Sequence, residues 1–236
     1  MQIKRIFKNL HTHPSITVLK AFSHDVWVVY LFLALVLPLY ISPFSIMLDP
    51  AGDAQNAGRM IDDCFERGLT VQFCEKLKKE LEKKYQANVT LTRIAGDTLE
   101  PLQNANFANR LGIQLYISFH FYYQPDDRST INLYHYIYNS VTDFWSPQTD
   151  ALRFVRFDEA HKLNIQLTQT YAENLYKQLS ATIKHADTTP AFGIPFKPLI
   201  GITAPAIGIE IGLHNRNDWQ NYISDICQAI GTLIRM

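Results

Sequence analysis

Between Val26 and Leu48 the chain runs for 23 residues, VWVVYLFLALVLPLYISPFSIML, without one charged side chain. A helix crossing a bilayer core needs about 20 apolar residues, so the run is long enough to span. A single strand of that length would far exceed the usual limit of about 10 residues. Lys4, Arg5, Lys8 and Lys20 precede the run with Asp25 as the lone acid, which by the positive-inside bias keeps the N-terminus cytoplasmic. A cleaved signal peptide is the rival reading. It would need a shorter charged region, an apolar core of about 7–15 residues and an A-x-A-like cleavage site, and the sequence has no such site. Pro43 is expected to end the span. The resulting expectation is a cytoplasmic segment over 1–25, a transmembrane anchor over 26–43 and a soluble domain over 44–236. The protein would then sit single-pass in the inner (cytoplasmic) membrane, its domain on the extracytoplasmic, periplasmic side and almost without a linker.

Beyond the anchor, strand-like and helix-like patterns alternate. Phe44 to Leu48 reads as a first strand. Ile61 to Tyr85 reads as a helix, with Phe65, Leu69, Phe73 (or Gln72), Leu77 and Leu81 at helical spacing. NVTLTR (88–93) alternates as a strand does, and TLEPLQNANFANRLG (98–112) reads as a helix that Gly112 closes. IQLYISFHFYY (113–123) reads as a central strand and INLYHYIYN (131–139) as another. A long helix is expected from Asp158 to about His185, and APAIGIEIG (204–212) reads as a last buried strand. A C-terminal helix follows, capped by Asn217 or Asp218. This order predicts an α/β fold, a three-layer sandwich with a mostly parallel central sheet, preceded by one N-terminal transmembrane helix. Twenty-two basic residues balance twenty-two acidic ones, so nothing in the charge points to nucleic acid. Cys64, Cys74 and Cys227 are three in number and lack CxxC spacing, which argues for free thiols. Cys64 and Cys74 are expected on one helix, about 15 Å apart.

Three strand ends carry ionisable residues: Asp49 and Asp53 in IMLDPAGDAQNAGR, His120 in ISFHF, and Glu210 in IGIEIG. Glu66, opening the first helix, adds a fourth group. Histidine with carboxylates is a reasonable zinc set, although a histidine in an apolar strand is more often a hydrogen-bonded core residue.

In order along the chain, DPAGDA, Glu66, Leu91-Thr92-Arg93, Ala108-Asn109 with YISFHFY, and PAIGIEIGLHN resemble the motifs of the zinc-dependent N-acetylmuramoyl-L-alanine amidases. Those enzymes cut the amide between N-acetylmuramic acid and L-alanine in peptidoglycan. The resemblance implies the amidase fold over 44–236 and peptidoglycan as partner. It also implies Glu66 and His120 as zinc ligands and Glu210 as the catalytic carboxylate beside a zinc-activated water. Asn109 and Asn215, within the matched stretches, are candidate substrate-binding residues. The family's inserted cover over the active site has its candidate in Ser140 to Arg156, with Phe144 and Trp145. AFGIPFKPLIG (191–201) is a candidate wall of the groove.

Two departures stand out. The family's first zinc-ligand histidine falls on Gly52, fourteen residues before Glu66, and Asn104 stands where an arginine is usual. Asp53 is the nearest residue able to replace the lost ligand. Asp49, Asn56 and His135 are weaker candidates. Two readings follow: a membrane-anchored amidase with Zn2+ held by Asp53, Glu66 and His120, or a degenerate non-catalytic module that binds peptidoglycan or a partner protein.

Overall fold

The computed structural model describes residues 43–97, 101–125, 128–137 and 155–236. The expected span over 26–43 lies, but for its last residue, outside them, as does most of the candidate cover with Phe144 and Trp145. Among the described residues no helix is long and apolar enough to cross a membrane.

The chain enters through β1 (Ser45–Pro50), forms a short hairpin of β2 (Met60–Ile61) and β3 (Cys64–Phe65), and continues into α1 (Glu66–Tyr85) and β4 (Asn88–Leu91). Then come α2 (Pro101–Leu111), β5 (Leu115–Tyr123), β6 (Ser129–Tyr136), a 3-10 turn over Phe157–Asn164 and α3 (Ile165–Thr182). Short strands β7 (Ala186–Thr188) and β8 (Phe192–Ile194) precede a 3-10 turn at Lys197–Leu199, β9 (Ala206–Leu213), another 3-10 turn at Asp218–Tyr222, and α4 (Ile223–Ile234). The seven-stranded sheet runs β4-β1-β5-β9-β6-β7, with β8 also on β6. Every pairing in it is parallel except β6 with β9.

The chain steps from β1 to β4 on one side and from β4 back past β1 to β5 on the other. Right-handed crossovers then place α1 and α2 on opposite faces. Side chains alternate accordingly. Ile46, Leu48, Leu115, Ile117, Phe119 and Phe121 join α1, α3 and α4 in the larger core. Met47 and Tyr116 face the other way, against Ala105 and Ala108 of α2 and Leu199. The second face is therefore the one that carries Asp49, Ser118 and His120. It opens at the carboxyl ends of β1 and β5, where connections leave in opposite directions and α/β sheets form a crevice.

The structure departs from the sequence expectations in four places. Helix α1 begins at Glu66 rather than Ile61, because residues 60–65 pair as a hairpin turning at Asp62 in a left-handed conformation (φ 52°). Cys64 therefore lies on a strand and not on a helix with Cys74, and all three cysteines are free thiols. The helix expected from Asp158 starts as a 3-10 turn, whose three-residue period breaks the stripe. Leu163 and Leu167 are 54% and 41% exposed, while Tyr171, Leu175 and Leu179 are buried. The C-terminal helix also opens as a 3-10 turn, with no side-chain cap from Asn217. Asp218 Oδ2 instead accepts the His214 N–H at 3.2 Å.

Candidate functional site

The loop after β1 is fastened from below by side chains of two other elements. Ala51 N–H continues the parallel ladder to the Phe119 carbonyl (3.0 Å). Arg93, just past β4, donates Nε–H to the Pro50 carbonyl (3.1 Å) and Nη2–H to those of Ala51 (2.6 Å) and Arg67 (3.2 Å). Burial tends to lower the Arg93 pKa and prevails over the nearby carboxylates of Asp49, Asp53 and Asp97. Thr92 Oγ1 donates to Asp49 Oδ1 at 2.7 Å. Leu91-Thr92-Arg93 thus holds the loop in place.

Asp49 is a buried hub. Besides Thr92 it accepts Asn104 Nδ2–H on Oδ1 (3.1 Å) and the Ser118 hydroxyl on Oδ2 (2.7 Å). The register explains the convergence, since Asp49 stands directly beside Ser118 and both point to the α2 face. With its one proton directed at Asp49, Ser118 Oγ faces His120 Nε2 as an acceptor at 3.1 Å. That leaves His120 Nδ1 aimed at Glu66 Oε1, 3.5 Å away.

Glu66 is almost fully buried. Its Oε1 accepts the Phe121 N–H (2.9 Å) and its Oε2 the Arg59 N–H (3.0 Å). Burial pushes its pKa upward, but the adjacent His120 and the hydrogen bonds from these two backbone groups outweigh it and hold the carboxyl below its ordinary value. Glu210 sits beside His120 in the β5–β9 register. Its Oε2 accepts the Tyr134 hydroxyl (2.7 Å) and its Oε1 lies 2.7 Å from Arg59 Nη1. Burial, then the hydrogen bond and charge of Glu210, push the Tyr134 hydroxyl well up from its ordinary value. The Phe196 ring packs against His120 and Tyr134, at 4.9 and 5.4 Å between centroids.

Glu66 and His120 are brought together as expected. Their 3.5 Å separation suits two donors on one tetrahedral zinc, whose ligands lie about 3.4 Å apart at bonds near 2.1 Å. Among the described residues the third donor is not supplied. Gly52 adopts φ +74°, and a Cβ there would lie 2.8 Å from Arg67 Cβ and 2.9 Å from the Asn56 carbonyl oxygen. Asp53 Oδ1 accepts the backbone N–H groups of Gln55 (2.8 Å) and Asn56 (2.6 Å), so this carboxylate builds the turn rather than joining the pair. Among the described residues no group of three or more His, Cys, Asp or Glu side chains converges to hold a metal. The described residues do not complete a hydrolytic zinc centre, which needs three protein ligands and an open position.

The other expected residues have different places. Asn109 accepts the Thr203 N–H on Oδ1 (2.9 Å) and donates Nδ2–H to the Gly201 carbonyl (2.8 Å), clamping the 201–203 loop. Asn215 forms the turn after β9, accepting the Asn217 N–H at 2.9 Å. His135 lies on β6 with Nδ1 buried and without a hydrogen-bond partner. Burial lowers its pKa from an ordinary 6.5, so the folded state binds fewer protons than the unfolded chain as the pH falls. Stability from this group is fully present above about pH 6.5 and is lost as pH falls through the lower folded-state value. In His135→Gln the decline of melting temperature as the pH falls below about 6.5 is expected to flatten. Parallel slopes in the two proteins would refute this.

Arg59, Ser118 and Tyr134 are site residues that the sequence pattern did not pick out. The signal for Ser118 was its parity with His120 on one strand. For Arg59, a cation one residue past Gly58, there was none. The crevice is a cleft of about 190 Å³ lined by Asp49, Gly52, Asn56, Asn104, His120 and Lys197, among others.

The sequence profile of the N-acetylmuramoyl-L-alanine amidases matches residues 46–234. Among solved structures, the amidase Ami1 of Mycobacterium smegmatis superposes with a TM-score of 0.58 at 15% identity, over 82% of this chain and 99% of that one. An N-acetylmuramoyl-L-alanine amidase of Clostridium difficile 630 gives 0.57 at 17% identity, over 81% and 95%. The CwlD amidase of Clostridioides difficile, in complex with the GerS lipoprotein, gives 0.52 at 14%, over 80% and 96%. No curated protein sequence matches.

Proposed function

The chain belongs to the N-acetylmuramoyl-L-alanine amidase family, and from that premise we propose that it binds peptidoglycan at the muramoyl–L-alanine junction without hydrolysing it through zinc. The observation that carries this reading is the loop at Gly52, which offers no side chain where a third ligand is needed and no room to add one. The polar lining of the cleft, with the amides of Asn56 and Asn104 and the Lys197 ammonium, suits the amide- and carboxylate-bearing stem peptide.

The 26–43 span anchors the protein in the cytoplasmic membrane with this domain outside, where peptidoglycan lies. Pro43 leads into the amino end of β1, and the cleft lies at the carboxyl ends of the strands. A partner protein is a further possibility of the same fold, since one structural relative is seen with a lipoprotein.

A second reading, zinc-dependent hydrolysis, is favoured by one observation, the intact Glu66–His120 pair. Metal analysis of the purified full chain separates the two. The binding reading expects less than about a tenth of a zinc per chain, unchanged in His120→Ala, with muropeptides bound but no stem peptide released. Near-stoichiometric zinc that disappears in His120→Ala, with release of stem peptide that Glu210→Ala abolishes, would establish the hydrolase instead.

A further inference from the structure

Arg59 is held at both ends. Its N–H donates to Glu66 Oε2 (3.0 Å), its carbonyl accepts the Glu66 N–H (2.8 Å), and its Nη1 reaches Glu210 Oε1 at 2.7 Å. The guanidinium carbon stands 5.7 Å from the centroid of the Tyr122 ring. Gly58, at φ +76°, lets the loop press against the carboxylate, for a Cβ there would lie 2.7 Å from Glu66 Oε2. A single positive charge thereby faces two acidic side chains, one by contact and one through its field.

We infer that Arg59 is the resident cation of this site, giving Glu210 and Glu66 the charge compensation that a divalent metal would otherwise supply. The observations agree from both sides. Glu210 is only 14% exposed at the side chain and has one oxygen on Arg59 and the other on Tyr134. Burial pulls the Arg59 pKa down, yet the hydrogen bond and charge of Glu210, with the charge of Glu66, raise it above its ordinary value. Glu210 acts here as a positioning residue for Arg59. The loop that carries Arg59 also crosses Glu66, so cation and carboxylate are built into one turn.

The inference deepens the zinc-free reading and is tested apart from it. Melting temperatures of the full chain and of Arg59→Lys, Arg59→Met, Glu210→Gln and the Arg59→Met/Glu210→Gln double variant are measured with EDTA and with excess Zn2+. The wild-type protein is expected to melt within about 1 °C of the same temperature in both. Arg59→Met should lose about 2–4 °C, a moderate effect because half of the Arg59 side chain is exposed. The double variant should lose no more than Arg59→Met alone, since the orphaned carboxylate is removed with its partner. Zinc raising the wild-type value by about 5 °C or more, wild-type behaviour of Arg59→Met, or additive losses in the double variant would overturn the assignment. If Arg59→Met does not fold, Arg59→Lys carries the test: it should stay indifferent to zinc, and a need for zinc to reach the wild-type temperature refutes it. Release of stem peptide from muropeptides would sink the non-hydrolytic reading and leave these temperatures unchanged.

Discussion

Asp49→Ala is expected to lower the melting temperature by about 10 °C, from a stability loss of about 3–5 kcal/mol in a domain of this size. Three donors converge on this carboxylate: Thr92 Oγ1 (2.7 Å), Asn104 Nδ2 (3.1 Å) and Ser118 Oγ (2.7 Å). Thr92 and Ser118 are themselves buried, so water cannot replace the lost acceptor without opening the sheet edge. Each orphaned donor costs about 1–3 kcal/mol. The loss also reaches the site, because Ser118 is then no longer committed to Asp49 and ceases to fix the ring of His120. Asp49→Asn, which keeps the volume and one acceptor, should recover at least half of the loss. Thermal denaturation of the three proteins decides it. An alanine variant within about 2 °C of wild type would show that the hub contributes little.

Much of the fold could be read along the chain because the signals are local. LYISFHFYY, with its near-continuous apolar character, is β5, a strand with neighbours on both sides, and AIGIEIGL is β9. Leu69, Phe73, Leu77 and Leu81 recur every four residues and do form the buried stripe of α1. Helix starts were harder. Residues 60–65 have the composition of a helix start yet fold as a hairpin, because the Asp62 turn, the Glu66 N–H bond to the Arg59 carbonyl and the Arg59 N–H bond to the Glu66 carboxylate outweigh local propensity.

The site was legible as a set of places and less so as a set of roles. Glu66, His120 and Glu210 stand where their order along the chain implied. What the pattern could not supply was register. Asp49 reads as the last residue of a strand, and only its pairing with Ser118 reveals a carboxylate holding a histidine through a hydroxyl. Asn109 reads as a polar residue near the cleft, and only its bonds to 201–203 reveal a clamp. Asp53 is adjacent to Gly52 in sequence, but a turn that folds its carboxylate back on Gln55 and Asn56 makes adjacency a poor guide to ligation. Arg59 lay outside any spacing rule, since its role depends on a loop passing over Glu66.

Restoring the missing ligand by Gly52→His is expected to fail, and the reason lies in the backbone rather than in the imidazole. At φ +74° an L-residue is strained by about 1–3 kcal/mol. Its Cβ would also meet Arg67 Cβ at 2.8 Å, Arg67 Cα at 3.2 Å and the Asn56 carbonyl oxygen at 2.9 Å. None of these is the free end of a flexible chain. Arg67 belongs to α1, and its own Nη1 donates to the Asp53 (3.2 Å) and Ala54 (2.9 Å) carbonyls of the same loop. Relief therefore requires the loop to leave α1, adding about 1–3 kcal/mol of overpacking for a total near 2–6 kcal/mol. Gly52→Ala separates the two contributions: most of the loss should already appear with the methyl group, leaving little more for histidine to add. Neither variant should take up zinc. Stoichiometric zinc in Gly52→His with little loss of stability would mean that the loop yields easily, and that only one side chain separates this cleft from a complete metal centre.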